Sequence, residues 1–268
     1  MKFAISVKTP EIEKEAPLAL FSGSFEQRLE KAAKNGYQGI ELIVSDPSKL
    51  DAAQLLAQLD AYGLQPVAVA TGFVFGSRGL QLVNPDPEIC RGAAQLLQEL
   101  VRFAAELKVS LVTIGGFRGK AAPVGGLDAA KKLLHQALQA ADPLAKELGI
   151  TIALEPLRKE ENDLLNNAQE VCDFIEEGGY TAVSLLLDVY HMVEEPDLLD
   201  AFRKYRDRFV HVHLADTDRK ALGLGSIDFS AIEAVLQEVG YTGWQSVELP
   251  RGEDPDGNGR LPAYLTTL

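Results

Sequence analysis

The stretch SLLLDVYHMVEEPDLLDAFRKYRDRFVHVHLAD (184–216) decides the fold of this chain. It opens with a continuously apolar run (184–189), ends with a second strand-like run (209–216), and has a longer segment of helical pattern between them. Strands that are buried on both faces of a parallel sheet are continuously apolar, whereas strands with one solvated face alternate. The stretch is therefore typical of a strand–helix–strand unit in a parallel sheet.

The same alternation of short apolar runs and longer helical segments extends along the chain. Helix start signals lie between the runs: Ser24 and Gln27 have capping-box spacing, and Asp86 precedes a proline. Eight such units with right-handed crossovers close into a barrel, although six or seven units in an open sheet would look similar locally. We predict an α/β fold, a (β/α)8 TIM barrel that forms a single domain over residues 1–268. The candidate strands are FAISV (3–7), GIELIV (39–44), PVAVAT (66–71), SLVTIG (110–115), TIALEP (151–156), SLLLDV (184–189), FVHVHLAD (209–216) and SVEL (246–249).

Two segments fit this pattern poorly. Pro143 falls inside the helix predicted for residues 127–148, where an interior proline costs about 3 kcal/mol unless the helix kinks or breaks. Only 20 residues follow Glu248, and they are rich in glycine, proline and aspartate. The last helix of the barrel is therefore expected to be short.

The composition excludes some classes of function. The chain has 268 residues with 26 Lys and Arg against 39 Asp and Glu, a formal net charge of −13. Such an acidic protein is a poor candidate for binding nucleic acid, because that binding depends on basic contacts to phosphate. No apolar run approaches the roughly 18 residues that span a bilayer, and MKFAISVKTPEIEKE at the N-terminus lacks the apolar core of a signal peptide. We expect a cytoplasmic protein without nucleic-acid or membrane partners.

Four acidic or imidazole residues stand where successive candidate strands end. In such barrels the active site forms at the carboxyl ends of the strands, where the βα loops begin. The intervals between neighbouring candidates are 33, 25 and 35 residues, close to the roughly 31 residues of one βα unit. Each candidate therefore lies one unit further round the same rim, and the side chains are expected to converge. They are Glu155, Asp188, His213 and Glu248.

Three carboxylates and one imidazole in one volume indicate a divalent metal site. Carboxylates crowd one another unless a positive charge neutralises them, and a bound cation does so. Oxygen-rich ligation with one nitrogen favours Mn2+, which we expect, with Mg2+ or Co2+ as alternatives. The competing interpretation is that each acid separately caps a loop or pairs with an arginine.

Five motifs occur in the same order as in the sugar epimerase branch of the xylose isomerase-like barrels. They are Glu155-Pro156-Leu157 followed by Glu161 and Asp163-Leu164-Leu165-Asn166, Asp188-Val189-Tyr190-His191-Met192, His211-Val212-His213-Leu214-Ala215-Asp216-Thr217-Asp218-Arg219, Gly223-Leu224-Gly225-Ser226-Ile227-Asp228-Phe229, and Gly240-Tyr241-Thr242-Gly243 through Glu248. With Gly36-Tyr37-Gln38-Gly39-Ile40-Glu41, the likeness covers nearly the whole chain. The sequence resembles the xylose isomerase-like TIM barrel superfamily of sugar phosphate isomerases and epimerases, most closely the ketose and keto-acid epimerases of the D-tagatose 3-epimerase type.

The resemblance implies roles for individual residues. The four rim residues would be the metal ligands, and Glu155 and Glu248 would double as the catalytic acid/base pair on opposite faces of the substrate. His191, Arg219 and Glu161 would hold substrate oxygens near the carbonyl. The implied activity is divalent-metal-dependent epimerisation of a ketose or keto-sugar acid through a metal-bound enediolate, with a small sugar as substrate. By analogy alone, relatives suggest a homo-oligomer, either a dimer or a tetramer.

Other activities remain open on the same frame. A metal-dependent aldose–ketose isomerase would use the same ligands but return the proton to the adjacent carbon, and dehydratases of inosose or dehydroshikimate type share the barrel. A non-catalytic sugar-binding barrel is the alternative outside enzymes. Three-zinc DNA repair enzymes are disfavoured, because the chain has four histidines and strands three and four end in Ala70-Thr71-Gly72 and Gly115-Gly116.

Several loop residues depart from the family pattern. Asp218 stands where relatives carry asparagine, and Arg158-Lys159 replace Asn-Arg, so that these positions bear on substrate identity. Arg118, Arg158, Lys159 and Arg219 could bind a carboxylate or phosphate, or could be solvated loop charges. His211 is interpreted as structural, with its side chain on the opposite face of the strand from His213.

Overall fold

Eight parallel strands form a closed barrel in the computed structural model, which describes residues 1–192, 198–251 and 261–262. Each strand pairs with its sequence neighbours, and the first pairs with the eighth through a register that places Ala4 beside Ser246. The predicted (β/α)8 barrel is therefore confirmed, and the open-sheet alternative is wrong. The strands are β1 Lys2–Lys8, β2 Gly39–Ile43, β3 Gln65–Ala70, β4 Leu111–Ile114, β5 Thr151–Leu154, β6 Val183–Asp188, β7 Phe209–Leu214 and β8 Trp244–Val247.

Helices follow the strands and begin at the predicted caps. Ser24 and Gln27 form a reciprocal capping box at the first helix, and the Asp86 side chain accepts from the backbone N–H of Glu88 at the fourth. The helices are α1 Phe25–Lys34, α2 Ala52–Ala61, α3 Val74–Arg78, α4 Pro87–Glu106, α5 Leu127–Leu148, α6 Ala168–Gly178, α7 Val189–Met192, α8 Leu198–Lys204 and α9 Phe229–Glu238. Short 3-10 turns cover Pro47–Lys49, Gly116–Arg118, Ala122–Val124 and Thr217–Arg219.

The two segments that fitted the sequence pattern poorly are the helix with Pro143 and the last helix of the barrel. Helix α5 runs from Leu127 to Leu148 as one element with Pro143 inside it. Its buried face packs along α4 and α6, and this burial offsets the loss of one helical hydrogen bond. The expected short last helix lies outside the described residues. Within the described part of the chain, no helix combines the length and apolar character needed to cross a membrane.

The inside of the barrel changes from apolar to polar toward the carboxyl ends of the strands. A buried apolar cluster fills the lower interior and consists of Ala4, Val67, Ala68, Leu111, Ala153 and Leu186, with Trp244 packed against it. Buried polar side chains connect the interior to the rim through hydrogen bonds, and they are Glu41, Thr113, His211 and Ser246. The apolar layer closes the bottom of the barrel, so that polar chemistry is confined to its upper end.

Candidate metal centre

The structure brings the four rim residues together. Glu155 and Glu248 directly follow β5 and β8, and their backbone N–H groups extend the sheet by donating to Ile114 and Leu214. Asp188 ends β6 and lies opposite His213 of β7 in the strand register. One ligand-type atom from each of the four lies within 4.8 Å of the others. The parallel register of the barrel thus gathers side chains that are far apart in sequence.

The cluster is buried and incompletely hydrogen-bonded. His213 Nδ1 lies 3.1 Å from Glu155 Oε1 and 3.6 Å from Glu248 Oε2. Asp188 Oδ1 accepts from the backbone N–H of Tyr190 at 2.8 Å. Its other oxygen, Oδ2, is buried and has no hydrogen-bond partner among the described residues. A buried carboxylate oxygen without a partner costs free energy, and a cation would remove that cost.

Electrostatics in the cluster also favours a cation. Burial raises the pKa of Glu248 to about 8, with Glu155 and Glu41 adding to the rise against His213. Burial likewise raises the pKa of Asp188, and the charge of Glu155 adds to it. Burial opposes ionisation of Glu155 as well, but the charge and hydrogen bond of His213 lower its pKa to about 2. The protein alone therefore does not supply enough positive charge for all three carboxylates, and this donor set suits a hard divalent ion.

The three residues expected to bind substrate line the same cavity as the cluster. Nη2 of Arg219 lies 2.9 Å from Nε2 of His191 and 3.8 Å from Oε2 of Glu161. Its guanidinium also covers the ring of Tyr190, 4.2 Å from the centroid. The cavity has a volume of about 390 Å³, and Glu155, His213 and Glu248 line it together with His191, Arg219 and Glu161. This size falls within the usual range of small-molecule sites.

A folded loop after β7 presents Arg219 to the cavity. Asp216 is fully buried, and its carboxylate accepts four backbone N–H bonds within the loop. Two of the donors are Gly223 and Gly225, each at 2.9 Å. Asp218 and Arg219 both have left-handed backbone angles, with φ of 57° and 53°. Such angles are rare outside glycine, and the Asp216 contacts hold the loop in this conformation.

Arg118 does not face an anion site. Its side chain is fully buried and donates to four backbone carbonyls: Leu164 at 2.9 Å, Leu165 at 3.1 Å, Gly115 at 3.1 Å and Glu155 at 2.6 Å. The interpretation of Arg118 as a carboxylate or phosphate ligand is therefore wrong. Instead, the guanidinium fixes the backbone at Glu155 to the loop that follows β5.

His211 lies inside the barrel, on the same side as His213. The expectation that the two side chains face opposite ways is wrong, because residues two apart on a strand share a face. His211 Nε2 lies 2.8 Å from Ser246 Oγ and 3.1 Å from Glu41 Oε2. Glu41 was missed as a site residue; the signal was a single acid within the apolar run GIELIV (39–44). Burial raises the pKa of Glu41, but His213 and the hydrogen bonds from both histidines together lower it well below its usual value.

Gly115 makes room for the Glu155 side chain. A Cβ added at Gly115 would overlap Oε2 of Glu155, whereas a Cβ added at Gly116 would meet nothing within 4 Å. We expect Gly115→Ala to displace the Glu155 carboxylate and to weaken Mn2+ binding by about 10-fold, as loss of ligand support commonly does. Calorimetric titration of the metal-free protein measures this, with Gly116→Ala as the matched control. Equal affinities for the two alanine variants would contradict the prediction.

The fold and the rim define a class of protein: a closed (β/α)8 barrel with a candidate metal centre where its strands end. Residues 29–266 match the family described as xylose isomerase-like TIM barrel. L-ribulose 3-epimerase from Mesorhizobium japonicum is 30% identical over 243 residues, which cover 87% of this chain and 78% of the relative. The chain belongs to the xylose isomerase-like TIM barrel family, as its motifs indicated.

Two further comparisons agree with this assignment, one in sequence and one in fold. D-psicose 3-epimerase from Enterocloster bolteae is 28% identical over 196 residues, which cover 70% of this chain and 64% of the relative. The crystal structure of 3-keto-D-glucoside 4-epimerase from E. coli superimposes with a TM-score of 0.82, at 21% identity, and the match covers 100% of both chains. This structural match supports the fold alone.

Proposed function

We propose that this chain is a divalent-metal-dependent epimerase of ketoses or keto-sugar acids that inverts a carbon next to the carbonyl, of the 3-epimerase type. The observation that carries the proposal is the placement of Glu155 and Glu248, which reach one ligand cluster and one cavity from strands three positions apart. Two carboxylates approaching from different sides are what inversion needs, because the proton leaves one face and returns to the other. The names of the relatives, which are ketose 3-epimerases, support the same chemistry.

A bound cation fits two features of the cluster: Oδ2 of Asp188 makes no hydrogen bond among the described residues, and positive charge is short. Glu155, Asp188, His213 and Glu248 would hold it, with Mn2+ expected and Mg2+ or Co2+ as alternatives. When bound, the ion supplies Lewis acidity that stabilises negative charge on the substrate oxygens.

Glu155 and Glu248 each carry out one of the two proton transfers. One glutamate, as the carboxylate, removes the proton from the carbon next to the carbonyl, and the electron pair moves onto the carbonyl oxygen. The other glutamate, as the carboxylic acid, returns a proton to the opposite face of that carbon. The configuration is inverted, and the two glutamates have exchanged roles. Before the next turnover in the same direction, the first glutamate must lose its proton and the second must regain one.

His191 and Arg219 orient the substrate against this pair. Nη1 of Arg219 is buried, makes no hydrogen bond among the described residues and lies 3.7 Å from Oε2 of Glu248, so that a substrate oxygen bound there would lie beside this glutamate. The other terminal nitrogen of Arg219 contacts His191, which places both groups beside the same stretch of substrate. Glu161, at the more exposed edge of the cavity, would accept a substrate hydroxyl there.

One comparison favours inversion at a different carbon of the sugar. A relative from Escherichia coli that is 33% identical over 131 residues, which cover 48% of this chain and 50% of the relative, is named a 3-dehydro-D-guloside 4-epimerase. Carbon 4 of a 3-keto sugar is also adjacent to the carbonyl, so that the same two glutamates could serve it. The substrate would then be a keto-glycoside rather than a free ketose.

Hydrogen exchange decides among these reactions. The Mg2+-loaded protein is incubated in D2O with ketopentoses, ketohexoses, keto-hexonates and a 3-keto-glucoside, and NMR locates the deuterium. We expect deuterium at C3 of one ketose or keto-acid together with a new diastereomer. Deuterium at C4 of the keto-glycoside would indicate a 4-epimerase of keto-glycosides. Deuterium at C1 or C2 would indicate an aldose–ketose isomerase. No exchange by a protein with one bound metal ion would overturn the proposed epimerase.

A further inference from the structure

The imidazole of His213 lies between two sets of carboxylates. Its Nδ1 faces the rim cluster, 3.1 Å from Glu155 and 3.6 Å from Glu248. Its Nε2 faces inward and lies 3.2 Å from each oxygen of Glu41. A ring nitrogen that binds a cation carries no proton, and a neutral imidazole then has its proton on the other nitrogen. The proton of His213 would therefore be on Nε2, where Glu41 is its acceptor.

We propose that Glu41 is a positioning residue: it fixes the tautomer and ring orientation of His213 so that Nδ1 is presented to the cation. This inference rests on the metal site of the proposed function, but it concerns a strand on the other side of the barrel. Histidine ligands of metals commonly donate their second N–H to a carboxylate, which orients the ring and increases its basicity as a ligand. Here that carboxylate comes from β2, five strands before His213 in the chain.

Glu41 is itself held in place by a network of hydrogen-bond donors. Its side chain is 0% exposed. Thr113 Oγ1 donates to its Oε1 at 3.1 Å, and His211 Nε2 lies 3.1 Å from its Oε2. Together with His213, three donors from two strands, β4 and β7, converge on two carboxylate oxygens. A carboxylate is the side chain that accepts from all three, because it has acceptor capacity only. This requirement explains an acid within an otherwise apolar strand.

The same atoms have the spacing of a second cation site, since Glu41, His211 and His213 form a ligand-type group of their own. Hydrogen bonding accounts for that group more completely. The Thr113 hydroxyl already donates to Glu41, and Nε2 of His211 already lies 2.8 Å from the Ser246 hydroxyl. An ion here and another at the rim would both require His213 without a ring proton. We therefore assign one cation per chain, at the rim.

Substituting Glu41 tests the assignment. Glu41→Gln keeps the size of the side chain but turns one acceptor into an NH2 group, which must face a donor. We expect Mn2+ to bind about 10- to 100-fold more weakly, with 15N NMR of the Mg2+-loaded proteins showing a single Nε2–H form of His213 in the unsubstituted chain and mixed tautomers in the variant. Glu41→Asp keeps the charge with a shorter reach and should recover part of the affinity. Glu233→Gln is the matched control, because Glu233 is equally buried but bonds to Gln245 outside the barrel interior.

The outcomes separate this inference from the proposed function. If the unsubstituted protein binds no divalent ion, the proposed function fails. If it binds one ion, but Glu41→Gln binds as tightly and keeps the Nε2–H tautomer, the role of Glu41 is wrong. Two ions per chain would also overturn the assignment. Circular dichroism shows whether each variant folds. If Glu41→Gln does not fold, Thr113→Val and Glu41→Asp replace it in the metal titration; Thr113→Val removes one donor to Glu41. Affinities unchanged in both would then reject the proposal.

Discussion

Glu248→Gln is expected to lower the rate of epimerisation by about 10³-fold while the barrel stays folded. The amide keeps the shape of the side chain and one ligand oxygen, but it cannot remove or return a proton, and general acid–base catalysis contributes roughly 10²- to 10⁴-fold. Glu155→Gln should have an effect of similar size for the same reason. The rate is measured by NMR as formation of the new diastereomer from the substrate that the exchange experiment identifies.

Deuterium exchange in the two variants separates a two-base mechanism from a one-base mechanism. In Glu248→Gln, Glu155 still reaches one face of the substrate, so one epimer should exchange its proton for deuterium without inversion. Glu155→Gln should show the same behaviour with the other epimer. If either variant inverts its substrate at near the original rate, one glutamate suffices and the assignment of the pair is wrong. Glu233→Gln controls for loss of a buried carboxylate outside the barrel interior.

The barrel was predictable because its information is local and repeated. Most strands are largely apolar runs, and helix start signals such as Ser24 and Asp86 lie between them. Parallel closure then places every strand end on one rim. The rim cluster followed from the same logic, because its four residues stand at the strand ends of units five to eight: Glu155, Asp188, His213 and Glu248.

The buried side chains that hold the rim residues in place were not predictable from these sequence patterns. Glu41 and His211 are 170 residues apart, and their contact depends on which side chains point inward across the closed barrel. Arg118 appeared to be a loop cation, and only the positions of the Leu164 and Leu165 carbonyls show why it is buried. Such pairings depend on register and side-chain direction, which one-dimensional patterns do not contain.

Removal of divalent ions is expected to abolish epimerisation and to lower the stability of the barrel. The rim would then keep three buried carboxylates near His213 and Arg219, and Asp188 Oδ2 would have no hydrogen bond, with only Nε2 of His191 3.6 Å away. Readdition of Mn2+ at about 100 times its dissociation constant should stabilise the protein by about 2.7 kcal/mol, because the ion binds the folded chain selectively. For a chain of this size, that corresponds to a rise in Tm of about 5–10 °C.

Thermal unfolding and turnover are measured on the same chelated sample, before and after titration with Mn2+, Mg2+ and Co2+. Asp188→Asn is the informative variant, since it removes one carboxylate from the cluster without touching either glutamate of the acid/base pair. Its Tm without metal should rise, because repulsion within the cluster falls, while its gain in Tm from Mn2+ should shrink. Turnover at the full rate would refute metal dependence if the sample retains less than about 0.05 metal ions per chain, because few sites are then loaded. A larger gain in Tm for Asp188→Asn than for the unsubstituted protein would place the cation away from Asp188.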